Sequence, residues 1–211
     1  MDCPPRNTTY HVAMASKIKI CNMALSLVGV SQKIDDIDEA SKEAQECNLW
    51  YDQVRDSVLR DASWGFASKY QTLVEASASP SADWDYQYRL PSDFLRATWL
   101  TDGERDDSTP IPYALGADSD GAGVIFTNQQ SPVILKYVYV ASDESRWPSD
   151  FVVAMAWALG AAIAGTLADN PAWSDRAMKG YQMAIRKALA NMRNEEQPEK
   201  TPEAEWIRGR Q

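Results

Sequence analysis

Histidine is nearly missing from this 211-residue chain: His11 stands alone, close to the N-terminus. Its scarcity nearly excludes Ser/His/Asp nucleophilic catalysis, multi-histidine zinc sites and the His-Glu-x-x-His metalloprotease motif, which all need imidazoles at fixed places. Cysteine is sparse as well. Cys3, Cys21 and Cys47 are odd in number and widely spaced, with no Cys-x-x-Cys pair. Neither a disulfide framework nor a zinc cage is indicated, and the pattern suits a reducing compartment. Cys21 and Cys47 fall in apolar helical stretches and are expected as small buried hydrophobes. Basic charge is in deficit: 21 Lys and Arg against 30 Asp and Glu leave a net charge of −9. A protein whose main work is gripping nucleic-acid phosphates is therefore not expected. Gly-rich phosphate loops of Walker or dinucleotide spacing do not occur. Met1–Ser16 lacks the continuous apolar run of a secretion signal.

The composition that remains is that of a globular chain, 45% apolar and 24% charged, enough for one domain or one domain with a sizeable insertion. Residues 1–15 read as a polar, Pro-containing extension, expected to be disordered, with Met14 as a second candidate start. From Ser16 to Val28, Ile18, Cys21, Leu25 and Val28 fall on one helical face, and Gly29 follows as a stop. Asp38 is the expected N-cap of a second helix, which runs to about Ala62. Its strip is Ala44, Cys47, Tyr51, Val54, Val58 and Ala62.

Between Trp64 and about Val140 the pattern changes. Lys69–Val74, Tyr86–Leu90, Leu95–Leu100, Val124–Thr127 and Val133–Val140 read as strands, separated by loops at Ala76–Asp83, Thr101–Pro112 and Gly116–Gly123. Helices return at Pro148, and Asn170-Pro171 reads as N-cap and first position of a last helix. That helix has Ala177, Tyr181, Ala184, Ala188 and Met192 on one face. The fold class is α+β, a small antiparallel β unit inserted between two helical pairs. The expected boundaries are 16–66 with 146–193 for the helices, 67–145 for the β insertion and 194–211 for an extended, charged, Pro-broken tail.

Phe151–Ala168 has no charge and touches the lower length of a membrane span. Its many alanines and glycines, and the absence of a Lys/Arg bias at its ends, favour a buried core helix instead. Asp118-x-Asp120-Gly121 opens like a calcium loop. Ala122 and Val124 follow where ligands belong, and Gln129 replaces the closing Glu, so a tight turn is expected. Asp35, Asp36, Asp38 and Glu39 form an acidic cluster, read as the lead into a helix. A carboxylate pair for glycoside cleavage is the catalytic alternative. The eight Trp and nine Tyr point to core and subunit interfaces.

Four blocks carry a resemblance. They are Cys21-Asn22-Met23-Ala24-Leu25-Ser26 with Gly29; Ala40-Ser41-Lys42-Glu43-Ala44 with Cys47-Asn48, Tyr51-Asp52-Gln53-Val54-Arg55-Asp56 and Leu59-Arg60; Trp64-x-Phe66-Ala67; and Tyr88-x-Leu90-Pro91-x-Asp93-x-Leu95-Arg96. In this order and spacing, over roughly Ser16 to Arg193, the chain resembles the head-to-tail adaptor family of tailed bacteriophages, the group that includes tail tubular protein A. The resemblance implies a helical bundle made by the N- and C-terminal helix pairs, with the β domain between. It also implies a structural virion protein without cofactor or metal. Such a protein forms a dodecameric ring beneath the portal protein, extends the DNA channel and offers a platform to a downstream tail or nozzle protein. Localisation would be the head–tail junction of the virion, and the host cytoplasm during assembly, with no membrane. DNA would pass through the lumen without specific binding, and an acidic wall would let it slide.

Two groups of residues are candidates within that role. Trp206, Ile207, Arg208 and Arg210 are expected to anchor the tail to the portal, an aromatic–aliphatic pair between charges being suited to folding on binding. Trp157, Gly160, Ala161, Ala164 and Gly165 are expected to pack tightly, within the bundle or between subunits. The rival readings are a virion-associated polysaccharide- or peptidoglycan-cleaving hydrolase with a carboxylate pair, and a scaffold or chaperone absent from finished virions.

Overall fold

Four helices and two small antiparallel three-stranded sheets make up the computed structural model, which describes residues 15–76, 83–103, 111–168 and 170–195. The expected extension up to Met14 and the tail beyond Glu195 lie outside the described residues.

The helices form where the apolar spacing and the caps agree. Helix α1 (Lys17–Leu27) starts at Ser16, whose hydroxyl accepts from Lys19 N–H. Its Cys21, Leu25 and the following Val28 are buried as the spacing requires. Gly29 ends it with φ +79°, a left-handed stop. Helix α2 (Lys42–Arg60) is capped by Ser41, which accepts from Ala44 N–H, and not by Asp38. The reason is local. The Glu39 carboxylate takes the backbone N–H groups of Asp35 and Asp36 and the Ser41 hydroxyl. These bonds hold the connection in a turn that delays the helix by about one turn.

Helix α3 (Ser149–Leu167) begins after Pro148, and α4 (Ala172–Glu195) begins where the Asn170 side chain accepts from Ala172 N–H. Asn191, late in α4, donates to the Asp150 carboxylate at the start of α3 at 2.5 Å. The two helices therefore run antiparallel. Helix α3 packs on α1, α2 and α4, and Phe151, Met155, Leu159 and Ile163 along it are fully buried. It is long and apolar enough to cross a membrane by length and composition. Here its partners are the other helices.

The strands are β1 (Ser68–Thr72), β2 (Tyr86–Arg89), β3 (Phe94–Thr101), β4 (Ala114–Ala117), β5 (Gly123–Thr127) and β6 (Ile134–Tyr139). One sheet has the order β1-β6-β3, the other β2-β5-β4. Five strands fall where alternation and β-branched residues place them. The fourth, β4, is not among the expected strands, and its Gly116-Ala117 end falls in the expected loop Gly116–Gly123. Its Ala114-Leu115-Gly116-Ala117 has no strand signature, and it pairs because the Phe126 ring lies over Gly116, 2.6 Å from where a Cβ would stand.

Strand β6 serves two cores. Leu135 and Tyr137 face a cluster with Leu73, Tyr88, Leu100, Ile125 and Val133 between the sheets. Val138, one residue on, joins the cluster of the helices. That division follows from the two-residue period of a strand.

Candidate functional site

The small residues of α3 are used mostly inside the chain. Gly160 faces α1: a Cβ there would stand 3.2 Å from Val28 Cγ1 and 3.4 Å from Ala24 O. Ala164 is buried in the same core, and Ala161 packs at its margin. Trp157 lies flat over Gly180 of α4, 2.5 Å from where a Cβ would be. Gly180 is thus the residue that lets α4 approach, a role invisible in its sequence context. Gly165 is exposed with open space around its Cβ position, and Val153 is 41% exposed. These two remain available to a neighbour on this helix.

An aromatic cluster joins the end of α2, the short turn Gly65–Ala67 and the start of α3. Phe151 stands edge-on to Trp64 at 5.0 Å, to Phe66 at 4.9 Å and to Trp147 at 4.9 Å between ring centroids. Edge-to-face packing at these separations is favourable beyond area burial. Both indoles are satisfied: Trp64 Nε1 donates to Val58 O and Trp147 Nε1 to Ala141 O. Beside this cluster opens a cleft of about 310 Å³, floored by Trp64, Phe66 and Phe151 and walled by Ala188 and Met192 of α4. Among the described residues, Asp150 is the only charged one lining it. The sequence held one half of this cluster in Trp64-x-Phe66. The other half, Trp147 and Phe151, arrives from a distant segment, so spacing had no means of joining them.

A second, more polar cleft of about 230 Å³ lies between Val28–Gln32, Glu43 and the α3–α4 turn. Trp173 closes it against Gly29, and the Arg176 guanidinium sits 4.8 Å from the Trp173 ring centroid.

Several carboxylates are engaged in structural bonds. Glu39 lies below the ordinary carboxylate range, held there by the Ser41 hydroxyl and the Asp35 and Asp36 N–H groups. A general acid needs the opposite displacement. Burial works to raise Asp93, but the Lys69 ammonium, paired at 2.7 Å, and the Tyr137 hydroxyl at 2.9 Å bring it down. Asp143 is lowered by Ser145. Tyrosines complete the pattern: Tyr51 donates to Glu144 and Tyr181 to Asp61. Each phenol is pushed up, first by burial and then by its carboxylate partner. These bonds link positions 93 and 120 residues apart in the chain, clipping distant segments together.

Asp118 caps the turn between β4 and β5. Its Oδ1 accepts from the N–H groups of Asp120 and Ala122, and Gly121 has φ +81°. Among the described residues, no group of three or more His, Cys, Asp or Glu is placed to hold a metal ion. Trp206, Ile207, Arg208 and Arg210 lie outside the described residues.

Apolar side chains do reach the surface. Leu49 (68% exposed) and Trp50 stand side by side on α2, and Met178 and Met183 on α4. On the β1-β6-β3 sheet, Lys136 is paired between Tyr70 and Trp99, with its ammonium 5.3 Å from the Tyr70 ring centroid. What this surface offers is contact area for another macromolecule. No protein-family model and no curated protein matches the chain.

Proposed function

We propose that this chain is a head-to-tail adaptor of a tailed bacteriophage, a structural virion protein that forms a dodecameric ring beneath the portal. The ring extends the DNA channel and gives downstream tail or nozzle proteins their platform. The observation that carries the reading is the set of four sequence blocks and where their residues stand. Cys21, Ala24 and Leu25, then Ala44, Cys47 and Tyr51, are buried in the helical core. The Asn22 side chain brackets the backbone of Ile34 as both donor and acceptor. Trp64 and Phe66 belong to the aromatic cluster, and Asp93 fastens β1 to β6 through Lys69 and Tyr137. The blocks thus fall on the joints of a chain whose helices come from both ends and whose strands come from the middle. The finer architecture of this reading is a bundle of N- and C-terminal helix pairs, over 16–66 and 146–193, with a β domain inserted over 67–145.

In this role the chain needs no cofactor. Its partners are further copies of itself, the portal and a tail protein. Gly165, Val153 and the exposed Leu49-Trp50 pair are surfaces for a neighbouring copy, while Trp206, Ile207, Arg208 and Arg210 anchor the tail to the portal. With −9 on each chain, an acidic lumen repels phosphates and DNA slides without sticking. The decisive experiment mixes the folded protein with its cognate portal and images the product by electron microscopy. A new dodecameric layer beneath the portal is the expected result. Absence of binding by folded protein would sink the proposal.

A further inference from the structure

We propose that, before any portal is bound, the aromatic cleft beside Trp64, Phe66 and Phe151 is a docking site for the chain's own C-terminal Trp206-Ile207, inserted in cis and given up when the portal takes that pair. The cleft is apolar on its floor, and Met192 and Ala188 of α4 form one wall. Met192 is three residues before the end of α4 at Glu195, a rise of ~4.5 Å along the helix. The chain therefore leaves α4 at the mouth of the cleft.

Eleven further residues lead to Trp206, an extended reach of up to ~40 Å, several times what a return to the cleft requires. The sequence of this segment holds Pro198 and Pro202, residues that a helix interior disfavours. Trp206-Ile207 is also the only pair of adjacent large apolar residues in 196–211.

Size and charge agree with this occupant. At about 310 Å³ the cleft is near the small end of ligand pockets, suited to one aromatic side chain and an aliphatic neighbour. Among the described residues its single charged lining residue is Asp150, and the segment is basic just after its apolar pair, at Arg208 and Arg210. Glu203 and Glu205 come before the pair. The polarity sets a direction: the Arg208 side lies toward Asp150 and the acidic side away from it. A tether this short gives an effective concentration in the millimolar range, so a contact too weak to hold a separate peptide still fills the cleft within one chain.

The proposal goes beyond the adaptor reading and is tested without any portal. The full-length protein is treated with trypsin, and cleavage after Arg208 is followed by mass spectrometry against a synthetic peptide of residues 196–211. Docking slows cleavage in the protein on the order of 10-fold relative to the peptide, the scale of a buried tryptophan anchor. Trp206→Ala, which leaves every described contact in place, restores the peptide rate. Met192→Trp fills the cleft from its wall and restores it too, with the circular dichroism spectrum unchanged. If Met192→Trp does not fold, Trp206→Ala alone decides. Wild-type cleavage at the peptide rate, or no response to Trp206→Ala, overturns the proposal. Protection that grows with protein concentration assigns the cleft to a second copy and overturns the cis arrangement.

Discussion

The two cores of this molecule are built on opposite plans. Between the helices, close approach comes from residues that are small or missing a side chain: Gly160 against α1, Gly180 beneath Trp157, and Ala24, Ala44, Ala156 and Ala164 fully or almost fully buried. Three large rings are gathered around Phe151, with Tyr51 and Trp157 packed elsewhere among the helices. Between the sheets the reverse holds. Large side chains (Tyr88, Leu100, Ile125, Leu135, Tyr137) fill the space, and buried small residues are absent from that cluster among the described residues. A helix interface gains from missing atoms because backbones must approach, whereas two facing sheets stand ~10 Å apart and need bulk between them. The same substitution should therefore act differently in the two places.

The largest effect is expected from Phe151→Ala, which removes the ring common to three edge-on contacts and should cost ~3–5 kcal/mol by urea titration. In the sheets Leu135→Ala should cost ~2–5 kcal/mol. The informative readout there is cooperativity. Val138 and Leu135 put one strand into both cores, so the helical and near-ultraviolet aromatic signals should be lost in a single transition. Two separate transitions would show that the cores are energetically independent. Adding one methyl sharpens the contrast further. Gly180→Ala drives a Cβ into the Trp157 ring and should cost ~1–3 kcal/mol. Tyr137→Phe in the sheet core removes a hydroxyl shared between Asp93 and Gln71, a loss of ~1 kcal/mol.

The pH dependence is smaller. Asp93 is displaced below its ordinary value, so its contribution is present above the unfolded carboxylate pKa of ~3.9 and is lost as pH falls through the folded value. Asp93 is about a third exposed, which keeps the effect near the ~1 kcal/mol ceiling of surface pairs. Asp93→Asn should flatten the acid side of a stability-versus-pH curve and, by lifting one cause of the raised Tyr137 phenol, ease the loss of stability at alkaline pH. The least perturbing probe is a thiol reagent. Cys21 and Cys47 are buried against one another, and the Cys21 thiol is raised by its partner and by burial. Both should stay unmodified in the native chain and react only on unfolding.

What the sequence could tell differs between the same two regions. The strips of α1, α2 and α4 were legible because burial repeats at helical spacing, and β6 because its run of β-branched and aromatic residues is long. Strand β4 was hidden: alanine and glycine carry no strand preference, and its reason to pair is a phenylalanine ten residues away. Asp38 was a plausible cap on chemistry alone, but the competing bonds of Glu39 are geometric and cannot be read from composition. The aromatic cleft depends on rings 85 residues apart in the chain, Phe66 and Phe151. The α+β class and most of its elements were accessible through local periodicity, and the cleft was not, because it exists only once distant segments meet.

That order of meeting matters on the ribosome. Helix α3 is the wall against which α1 and α2 pack, yet it emerges after six strands have been synthesised. Until then Ile20, Leu25, Tyr51 and Leu59 have no lasting cover. Contacts this distant in sequence form slowly and leave nascent surfaces open to association. The N-terminal helices of this protein are thus made first and finished last: their apolar strips wait for cover until Leu167 has cleared the exit tunnel.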